Sequence, residues 1–531
     1  MIQRCFALPY YVYCLRLRCL VSFLFYSTIK RKHTMHDELW QQSSSLINNQ
    51  QYEQALMLLE AALPENPNDA ELLTMMALAC AFVRPESALI LVKRSLAQDG
   101  SYGQSYYVQG VILEELARLE EAVVSYETGC RFAPTHLAML EKLCIASFQM
   151  AKQSGSLQDF LRSLAWYDRY LAQDQSKARA YQNRAMIYQV LKRYAEARAD
   201  VETALSIEPD LSGALASKGI LLLREGDYRQ GWQYYAHRAA AMPELERYQD
   251  AAVPLWNRDV RRPCRLMVYE EQGWGDTLHF SRYIPLLQAY GFDVVFKCDA
   301  CLEDLFRASY PGVHIFTDGL PPAGVEAQIS VMDLPQVFTP TLNDIPYPQG
   351  YLHAPPDIRT AWQHKLSADG FGSRPKIGLV WTSARANIEH QRNVALSDIA
   401  FLFDYPADFF CLQQVIPTEE QSAAAAVANL HHYPLHSFAE TAGLTAQMDW
   451  VISVDTSVAH LAAGMGKETW ILLGYHADFR WLLDRHDSPW YSAARLFRKQ
   501  TFDDWSSVWR ELAQEMARKC LPYRGKYSRI K

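Results

Sequence analysis

The sequence predicts an α-helical repeat array followed by an α/β region that contains parallel sheets. Small residues recur about every 34 positions between Ala55 and Gly231, a spacing typical of stacked helix pairs. After Arg262, short apolar runs alternate with helical stretches, as expected for parallel βαβ units. Two of these runs end in polar turns, at 271–277 and 455–457. Because ligands bind at the carboxyl ends of parallel strands, the two turns mark a candidate binding site.

The predicted array covers residues 35–245. Its aligned small residues are separated by steps of 33, 34, 41, 34 and 34 positions, and they are Ala55, Ala88, Ala122, Ser163, Ala197 and Gly231. The 41-residue step predicts about seven additional residues, near 152–156. The positions where helices end are indicated by prolines, namely Pro67, Pro134 and Pro209. Close approach of neighbouring helices is allowed by small residues, namely Gly110, Ala185 and Gly219.

This period is similar to that of the tetratricopeptide repeat. Stacked repeats of that kind form a concave face that holds an extended peptide or another protein. A spacer or a dimerisation element is the alternative. The last repeat carries a Gly-Trp, Tyr and Arg element between Gly231 and Arg238, which we expect to pack against the α/β region.

Bulk properties exclude several classes of protein. The chain has 531 residues and a net charge of −7, which argues against a nucleic-acid-binding protein. The eleven cysteines are scattered and predict reduced thiols in a cytoplasmic protein. Cys298 and Cys301 form a lone Cys-x-x-Cys pair without a second pair to complete a zinc site, so no metal is expected there.

Residues 1–34 are apolar and basic, unlike the rest of the chain. Their longest uncharged run, 19–29, is shorter than the ~20 residues that cross a membrane, so membrane association is not expected. We expect an extension with little structural role; a membrane-associating or targeting segment is the alternative.

Four stretches between about 262 and 500 carry a resemblance to a known enzyme family. They are 450–481, 271–277, 377–383 with Arg392 downstream, and 480–481 with 487–491. Together they resemble glycosyltransferase family 9, the heptosyltransferase-like enzymes. The resemblance implies a GT-B fold, with two Rossmann-like α/β halves around a cleft. Residues 246–365 would form the acceptor half and residues 366–531 the nucleotide-sugar half. The domain order, with repeats followed by a transferase, is similar to that of the O-linked N-acetylglucosamine transferases and the flagellin-modifying transferases.

The acceptor-side loop supplies the candidate base. The mechanism of such enzymes needs a base near the acceptor group, and Asp276 is our first choice, with Glu271 second. The alternative for Asp276 is a helix N-cap, with Thr277 as the first helical residue. Gln272, Gly273 and Gly275 complete this loop, whose glycines permit close substrate approach or form a turn.

The second polar turn predicts a phosphate site. The first turn of a helix offers free N–H groups and the positive end of its dipole, and nearby hydroxyls add donors. The predicted donor-binding residues are Ser383, Arg385, Arg392, Gln413, Asp455, Thr456, Ser457 and His460. The alternatives are a loop brace or an N-cap for Asp455, a buried core histidine for His460, and solvated loop charges for the two arginines. The sequence departs from the family at Ser383, where a glycine is common.

No Asp-x-Asp triplet occurs in the sequence. Metal-dependent sugar transferases use that triplet to hold a divalent ion on the diphosphate, so a metal-independent design without a cofactor is expected. We therefore predict transfer of a sugar from a nucleotide-diphosphate sugar to a protein that the repeats recruit. A transferase for lipopolysaccharide or another glycan, and a repeat scaffold with a degenerate transferase region, are the alternatives.

Overall fold

The computed structural model describes residues 35–383 and 392–527. The chain divides into two compact units, with the boundary between Ile187 and Tyr188. This boundary lies inside the predicted array, so the last repeat helices belong to the same compact unit as the sheets. In the described part of the chain, none of the helices combines the length and apolarity that a membrane crossing requires.

The first unit is built from consecutive helices that pack in pairs, with α3 on α4, α5 on α6 and α7 on α8. The helices are α1 (Met35–Asn48), α2 (Tyr52–Ala62), α3 (Ala70–Ala81), α4 (Pro85–Gln98), α5 (Gly103–Glu115), α6 (Leu119–Phe132), α7 (Leu137–Ser154), α8 (Leu157–Leu171) and α9 (Ala178–Val190), the last of which crosses the unit boundary. Each aligned small residue lies in the second helix of a pair; Ala55, Ala88, Ala122 and Ser163 are fully buried there. The helical solenoid predicted from the period is confirmed.

Close packing explains the small residues in the first helices of the pairs. A Cβ atom at Gly110 would lie 2.3 Å from Cε1 of the Tyr126 ring, so a larger residue would displace that ring. The longer fourth repeat arises because α7 has 18 residues. It ends at Gly155, whose φ of 64° gives the left-handed turn that favours glycine.

The second unit begins with the remaining repeat helices, which are α10 (Tyr194–Ile207), α11 (Ser212–Glu225), α12 (Tyr228–Tyr235) and the short α13 (Arg238–Ala241). Helix α11 packs on α12 so closely that a Cβ at Gly219 would meet the backbone nitrogen of Tyr235 at 2.4 Å. Trp232 of α12 donates a hydrogen bond of 3.1 Å to the carbonyl of Thr339. The helix pair is therefore part of the core of this unit, as expected for the element between Gly231 and Arg238.

The first sheet has four parallel strands in the order β3-β2-β1-β4. Its strands are β1 (Arg265–Tyr269), β2 (Asp293–Lys297), β3 (His314–Phe316) and β4 (Ala327–Ser330). The helices between and after them are α14 (Trp274–Phe280), α15 (Ile284–Ala289), α16 (Glu303–Ser309), α17 (Leu334–Phe338) and α18 (Pro356–Ala368).

The second sheet has six parallel strands in the order β10-β9-β8-β5-β6-β7. Its strands are β5 (Lys376–Val380), β6 (Asp408–Cys411), β7 (Leu430–His432), β8 (Trp450–Val454), β9 (Thr469–Leu473) and β10 (Ala494–Arg498). The helices are α19 (Gln421–Ala426), α20 (Phe438–Ala446), α21 (Ser457–Gly464) and α22 (Ser506–Tyr527). All five residues of β8 and of β9 are buried, which explains their continuous apolar sequence.

Two hydrophobic cores support the sheets. One lies mainly around the first sheet and also contains Trp232, Trp481 and Trp490, which come from α12 and from loops of the second half. The other lies around the second sheet. The parallel α/β organisation expected after Arg262 is confirmed, and it brings the ends of β1 and β8 into one region of the unit.

Candidate functional site

The starts of two helices meet in the second unit. Helix α14 begins at Trp274 after β1, and α21 begins at Ser457 after β8. A Cβ atom at Gly275 would lie 3.2 Å from Cδ2 of His460 and 3.6 Å from Cα of Ser457. The absence of a side chain at Gly275 thus permits this contact, and the two polar turns identified in the sequence form one site.

Asp276 holds the acceptor-side turn together. Its Oδ2 accepts a hydrogen bond of 3.1 Å from the backbone N–H of Gly273, and its Oδ1 accepts one of 2.6 Å from Nη2 of Arg480. Gly273 is the N-cap of α14, and Asp276 is the third helical residue. The alternative of an N-cap at Asp276 is therefore wrong, although its carboxylate does cap the helix from the third position. Its side chain is 20% exposed, so the carboxylate is still reachable from solvent.

Arg480 is a site residue that the sequence did not single out by itself. It lies in the 3₁₀ turn Phe479–Trp481, its side chain is 7% exposed, and it also pairs with Asp478 at 2.8 Å. Burial would lower the pKa of Arg480, but the carboxylates of Asp478 and Asp276 raise that pKa above its ordinary value. A permanent cation therefore lies beside Asp276. The sequence pointed to Arg480 only through the Arg480-Trp481 pair, which is one of the stretches that carry the family resemblance.

Glu271, the second choice for the base, lies in a buried ion pair. Both of its oxygens accept hydrogen bonds of 2.8 Å from Arg238, and Oε2 also accepts one of 2.6 Å from Ser330. The Glu271 side chain is 4% exposed. A carboxylate held in this way serves the packing of α13 against β1 and β4, and Asp276 is the more exposed of the two carboxylates.

Gln272 follows with a positive φ of 67°, and its side-chain amide lies 3.5 Å from the hydroxyl of Tyr235. The left-handed conformation at a non-glycine residue carries a strain of order 1–3 kcal/mol, which the surrounding contacts must offset. Its carbonyl accepts a hydrogen bond of 3.1 Å from Tyr248. Tyr235 of the repeat helix α12 and Tyr248 after it thus hold the loop at 271–277 in place.

On the donor side, Asp455 directly follows β8 and is 5% exposed. Its Oδ2 accepts a hydrogen bond of 2.9 Å from the indole of Trp481, and Arg392 donates one of 2.9 Å to its carbonyl. Burial raises the pKa of Asp455, and the Arg392 guanidinium opposes that rise. The N-cap of α21 is Thr456, so the alternative of an N-cap at Asp455 is wrong; this carboxylate braces the loop.

The first turn of α21 has donors available for a ligand. Within the described residues, the backbone N–H groups of Ser457, Val458 and Ala459 have no hydrogen-bond acceptor, as is usual in the first turn of a helix. Thr456 and Ser457 are half-buried, and the Thr456 hydroxyl lies 3.2 Å from that of Ser453. This turn therefore offers backbone and hydroxyl donors at one point.

His460 is a buried, neutral imidazole. Its ring stacks on Trp481 with centroids 5.4 Å apart and an interplanar angle of 13°. Burial and then the Arg480 charge lower the pKa of His460 to about 3. Its Nδ1 lies 2.9 Å from the hydroxyl of Tyr491, and its Nε2 lies 3.7 Å from Oδ1 of Asp455.

Tyr491 links His460 to a second buried histidine, His279, whose Nδ1 lies 2.8 Å from the same hydroxyl. A phenol has one proton, so it donates to one imidazole and accepts from the other. The Asp455 carboxylate favours a proton on Nε2 of His460, which makes Nδ1 of His460 the acceptor. His279 then carries its proton on Nδ1, and burial lowers its pKa well below the ordinary value. His279 had no signal in the sequence beyond its position in α14.

The other predicted donor-binding residues lie around the end of β5. Oε1 of Gln413 accepts hydrogen bonds of 2.7 and 3.0 Å from the N–H groups of Trp381 and Thr382, so it braces this loop. The N–H of Ser383 donates a hydrogen bond of 2.9 Å to Asn393. Arg385 lies outside the described residues.

The Cys298 and Cys301 thiols have no feature of a reactive pair. Burial raises the pKa of both thiols above the ordinary value, so both remain protonated at neutral pH. Among the residues that the structure describes, no group of three or more His, Cys, Asp or Glu side chains is arranged to hold a metal ion.

Comparison with known proteins identifies the helical region. Sequence models described as tetratricopeptide repeat match residues 103–136 and 178–211, which cover α5 with α6 and α9 with α10. The N-terminal helical region contains tetratricopeptide repeats. Such repeats indicate that protein or peptide partners bind this chain.

One curated relative and several solved structures are similar to the chain. Protein FlbA from Caulobacter vibrioides is 26% identical over 425 residues, which cover 74% of this chain and 69% of that protein. YrrB, described as a tetratricopeptide repeat protein with an unusual peptide-binding site, is 17% identical with a TM-score of 0.31, and the match covers 35% of this chain and 93% of YrrB. PilF from Pseudomonas aeruginosa is 18% identical with a TM-score of 0.33, covering 40% of this chain and 90% of PilF.

Proposed function

We propose that the α/β region is a GT-B glycosyltransferase of the family 9 type, which moves a sugar from a nucleotide-diphosphate sugar to a protein acceptor. The observation that carries this proposal is the contact between the starts of α14 and α21 at Gly275 and His460. It brings a partly exposed carboxylate, Asp276, to the same site as the open first turn of a helix. Asp276 would then act on the acceptor, and the first turn of α21 would hold the diphosphate of the sugar donor.

The donor would bind at the first turn of α21. Its free N–H groups and the positive end of the helix dipole suit a diphosphate, and the hydroxyls of Thr456 and Ser457 add donors. The deduced Nε2–H of His460 is a further neutral donor. These groups stabilise the charge that develops on the departing nucleotide, so this design needs no metal ion.

Asp276 would act as the general base. The acceptor oxygen or nitrogen attacks the anomeric carbon, the bond from that carbon to the diphosphate breaks, and the acceptor proton moves to the carboxylate. A carboxylate has about four lone-pair positions, and two of those on Asp276 accept from Gly273 and Arg480. The remaining positions are available for the acceptor, while Arg480 fixes the orientation of the side chain.

The repeats would select the acceptor. Tetratricopeptide repeats bind peptides or proteins, and here they precede the proposed catalytic region in one chain. Recruitment of a protein acceptor raises its local concentration at the site, which supports protein glycosylation over a small acceptor.

A second candidate is a repeat scaffold whose α/β region binds a nucleotide and has no transferase activity. The ion pair between Asp276 and Arg480 favours it, because a neighbouring cation opposes the transfer of a proton to the carboxylate. Under this hypothesis the ion pair is structural and the nucleotide is a regulatory ligand.

The experiment has two parts. Thermal unfolding of the full chain is measured with a set of nucleotide-diphosphate sugars; at about 100 times the dissociation constant, a true ligand stabilises the protein by about 2.7 kcal/mol. Intact-mass analysis of proteins from cells with and without the chain then detects an added sugar, and transfer with purified components is repeated in excess chelator. Binding with an added sugar mass supports the transferase, and activity that chelator abolishes contradicts the metal-independent design. Binding without any added mass supports the scaffold, and no binding contradicts both.

A further inference from the structure

Three cationic side chains converge on the loop that follows β9. Lys192 lies in the turn between α9 and α10, and its Nζ is 4.2 Å from the ring centroid of Tyr475. Arg224, near the end of α11, donates a hydrogen bond of 2.5 Å to the carbonyl of Ala477. Arg498, at the end of β10, donates to the carbonyl of Trp481 in the same loop. All three belong to the second unit.

These cations differ from their neighbours in having no carboxylate partner. Among the described residues, no carboxylate oxygen lies within 4.0 Å of the charged nitrogens of Lys192, Arg224 or Arg498. By contrast, the nearby Arg480 and Arg485 are both paired with aspartates, at 2.6 Å in each case. The Arg224 side chain is 3% exposed, and its Nε has no hydrogen-bond partner in the described part of the chain.

Neighbouring positive charges disfavour the charged forms of Lys192 and Arg498. Burial and then the Arg498 charge lower the pKa of Lys192. Burial also lowers the pKa of Arg498 to about 10, and Arg224 adds to that effect while Asp484 opposes it. Asp484 offsets part of this repulsion at both Lys192 and Arg498, although it forms no ion pair within 4.0 Å with either, and a bound anion offsets more of it. Lys192, Tyr475 and Arg498 are only half-buried, so an anion has access from solvent.

We propose that Lys192, Arg224 and Arg498 form an anion-binding site that takes an acidic side chain of a peptide partner. One wall belongs to the repeat at 178–211, and peptide segments are the usual ligands of such repeats. Arginine and lysine donors suit a carboxylate, and the rings of Tyr194 and Tyr475 offer apolar contact to the rest of the peptide. Among the described residues, no hydrogen bond or ion pair joins these three cations directly to Asp276 or to α21, and the proposal holds whether or not the α/β region transfers a sugar.

The rival explanation is that Lys192 serves only to stack on Tyr475, a cation–π contact that stabilises the fold. The chain offers a matched control in Lys218, whose Nζ lies 4.8 Å from the Tyr234 ring and 2.8 Å from Glu202. Both lysines contact a tyrosine ring, but only Lys218 has a carboxylate partner.

The test uses the full chain at low ionic strength, with a fluorescein-labelled hexa-aspartate peptide as the probe. Fluorescence anisotropy measures its dissociation constant for the wild type, Lys192→Gln, Lys218→Gln and Tyr475→Leu. We expect Lys192→Gln to weaken binding about ten-fold or more, which corresponds to about 1.4 kcal/mol. Lys218→Gln and Tyr475→Leu are expected to change it less than about two-fold. A hexaserine peptide and inorganic phosphate compete for the same probe, and neither is expected to displace it at concentrations where unlabelled hexa-aspartate does.

Several results would overturn the proposal. Equal binding by wild type and Lys192→Gln removes Lys192 from the site. Competition by hexaserine shows that charge is not what is recognised, and displacement by phosphate without any advantage for hexa-aspartate indicates a small-anion site. If Tyr475→Leu weakens binding as strongly as Lys192→Gln, the lysine acts through the ring. In each case nucleotide binding at α21, measured on the same variants, reports separately on the proposed transferase.

Discussion

Arg480 donates a hydrogen bond of 2.6 Å to Asp276 across 204 positions of sequence. This contact joins the loop after β9 to the start of α14, and it fixes the orientation of the candidate base. The pair is partly buried, with side-chain exposures of 7% and 20%, so its loss leaves an uncompensated charge in a poorly solvated place.

The first prediction concerns Asp276→Asn. We expect turnover to fall by about 10²–10⁴-fold because the base is removed, whereas donor affinity holds because α21 is untouched. Asparagine has one acceptor oxygen, so it cannot accept from both Gly273 and Arg480, and stability should fall by about 1 kcal/mol. Steady-state kinetics, nucleotide titration and thermal unfolding measure the three quantities. A fully active variant would rule out Asp276 as the base.

A second prediction tests the contact at Gly275. In Gly275→Ala the new methyl would lie 3.2 Å from Cδ2 of His460, so the two helix starts must separate by a few tenths of an ångström. Donor affinity is expected to fall about ten-fold. Gly372→Ala is the control, since its added methyl would meet nothing within 4 Å. Equal nucleotide affinities for the two variants would contradict a ligand at this contact.

The third prediction concerns the hydroxyls at the start of α21. Thr456→Val combined with Ser457→Ala removes two donors and keeps the shape of the turn. Each lost hydrogen bond costs about 0.5–1.5 kcal/mol, so donor affinity and turnover should fall together. Ser492→Ala, at an exposed hydroxyl whose partner is the carbonyl of Pro348, serves as the control. If affinity is unchanged while turnover falls, these hydroxyls do not hold the ground-state donor.

The fourth prediction is a loss of stability in acid. Burial lowers the pKa of His460 to about 3, and it does the same for His476, which lies in the loop after β9. It lowers the pKa of His279 well below the ordinary value, so in the folded chain these three rings stay neutral. In the unfolded chain they take up protons below their ordinary pKa of about 6.5. Their stabilising contribution is therefore complete above about pH 6.5 and is lost as the pH falls towards 3.

At pH 5 His460 and His476 should each cost about 2 kcal/mol relative to pH 7, and His279 acts in the same direction. Tryptophan fluorescence during thermal unfolding reports on this core, because His460 stacks on Trp481. His460→Gln is expected to reduce the pH dependence, whereas His486→Gln, at a side chain that is 67% exposed, is the control. An unchanged slope for His460→Gln would mean that this ring is not kept neutral.

The fifth prediction concerns the division of the chain. A chain that starts at Ala178 keeps α9 whole together with all of the second unit, so we expect it to fold and bind nucleotide but to lose modification of a protein acceptor. A chain that starts at Met242 lacks Trp232 and Arg238, which leaves a hole in the core and an unpaired Glu271, and it should not fold. Circular dichroism and nucleotide titration compare the two. Modification of the acceptor at the full rate by the chain that starts at Ala178 would contradict recruitment by the array.

Local patterns in the sequence predicted much of the fold. The 34-residue step follows from a repeated helix pair, and each small residue in that step is buried at a helix contact. The runs at 450–454 and 469–473 match β8 and β9 to the residue, because fully buried parallel strands must be apolar along their whole length. The polar turn after each strand follows from the same geometry, since parallel strands end at one edge of a sheet.

Long-range partners could not be predicted in the same way. Sequence placed Asp276 and Glu271 in one loop and ranked Asp276 first, but it did not give their partners; the structure pairs Asp276 with Arg480 and Glu271 with Arg238. Gln413 and Asp455 were predicted to bind the nucleotide, with a loop brace as an alternative for Asp455, and in the structure both side chains brace loops. Such distinctions depend on which donors surround a group, and spacing along the chain does not contain that information.

The sequence by itself therefore determined the periodic parts of this protein, the helix pairs, the parallel strands and the positions of the polar turns, because side-chain burial repeats with the geometry of the backbone. Only the tertiary structure decided that the turns at Gly275 and His460 touch, that Tyr491 joins His279 to His460, and that Lys192, Arg224 and Arg498 converge without a carboxylate. The His279 and Tyr491 contact spans 212 positions. The physical reason is that contacts of this kind are set by the packing of whole elements, whose side chains meet only after the chain has folded.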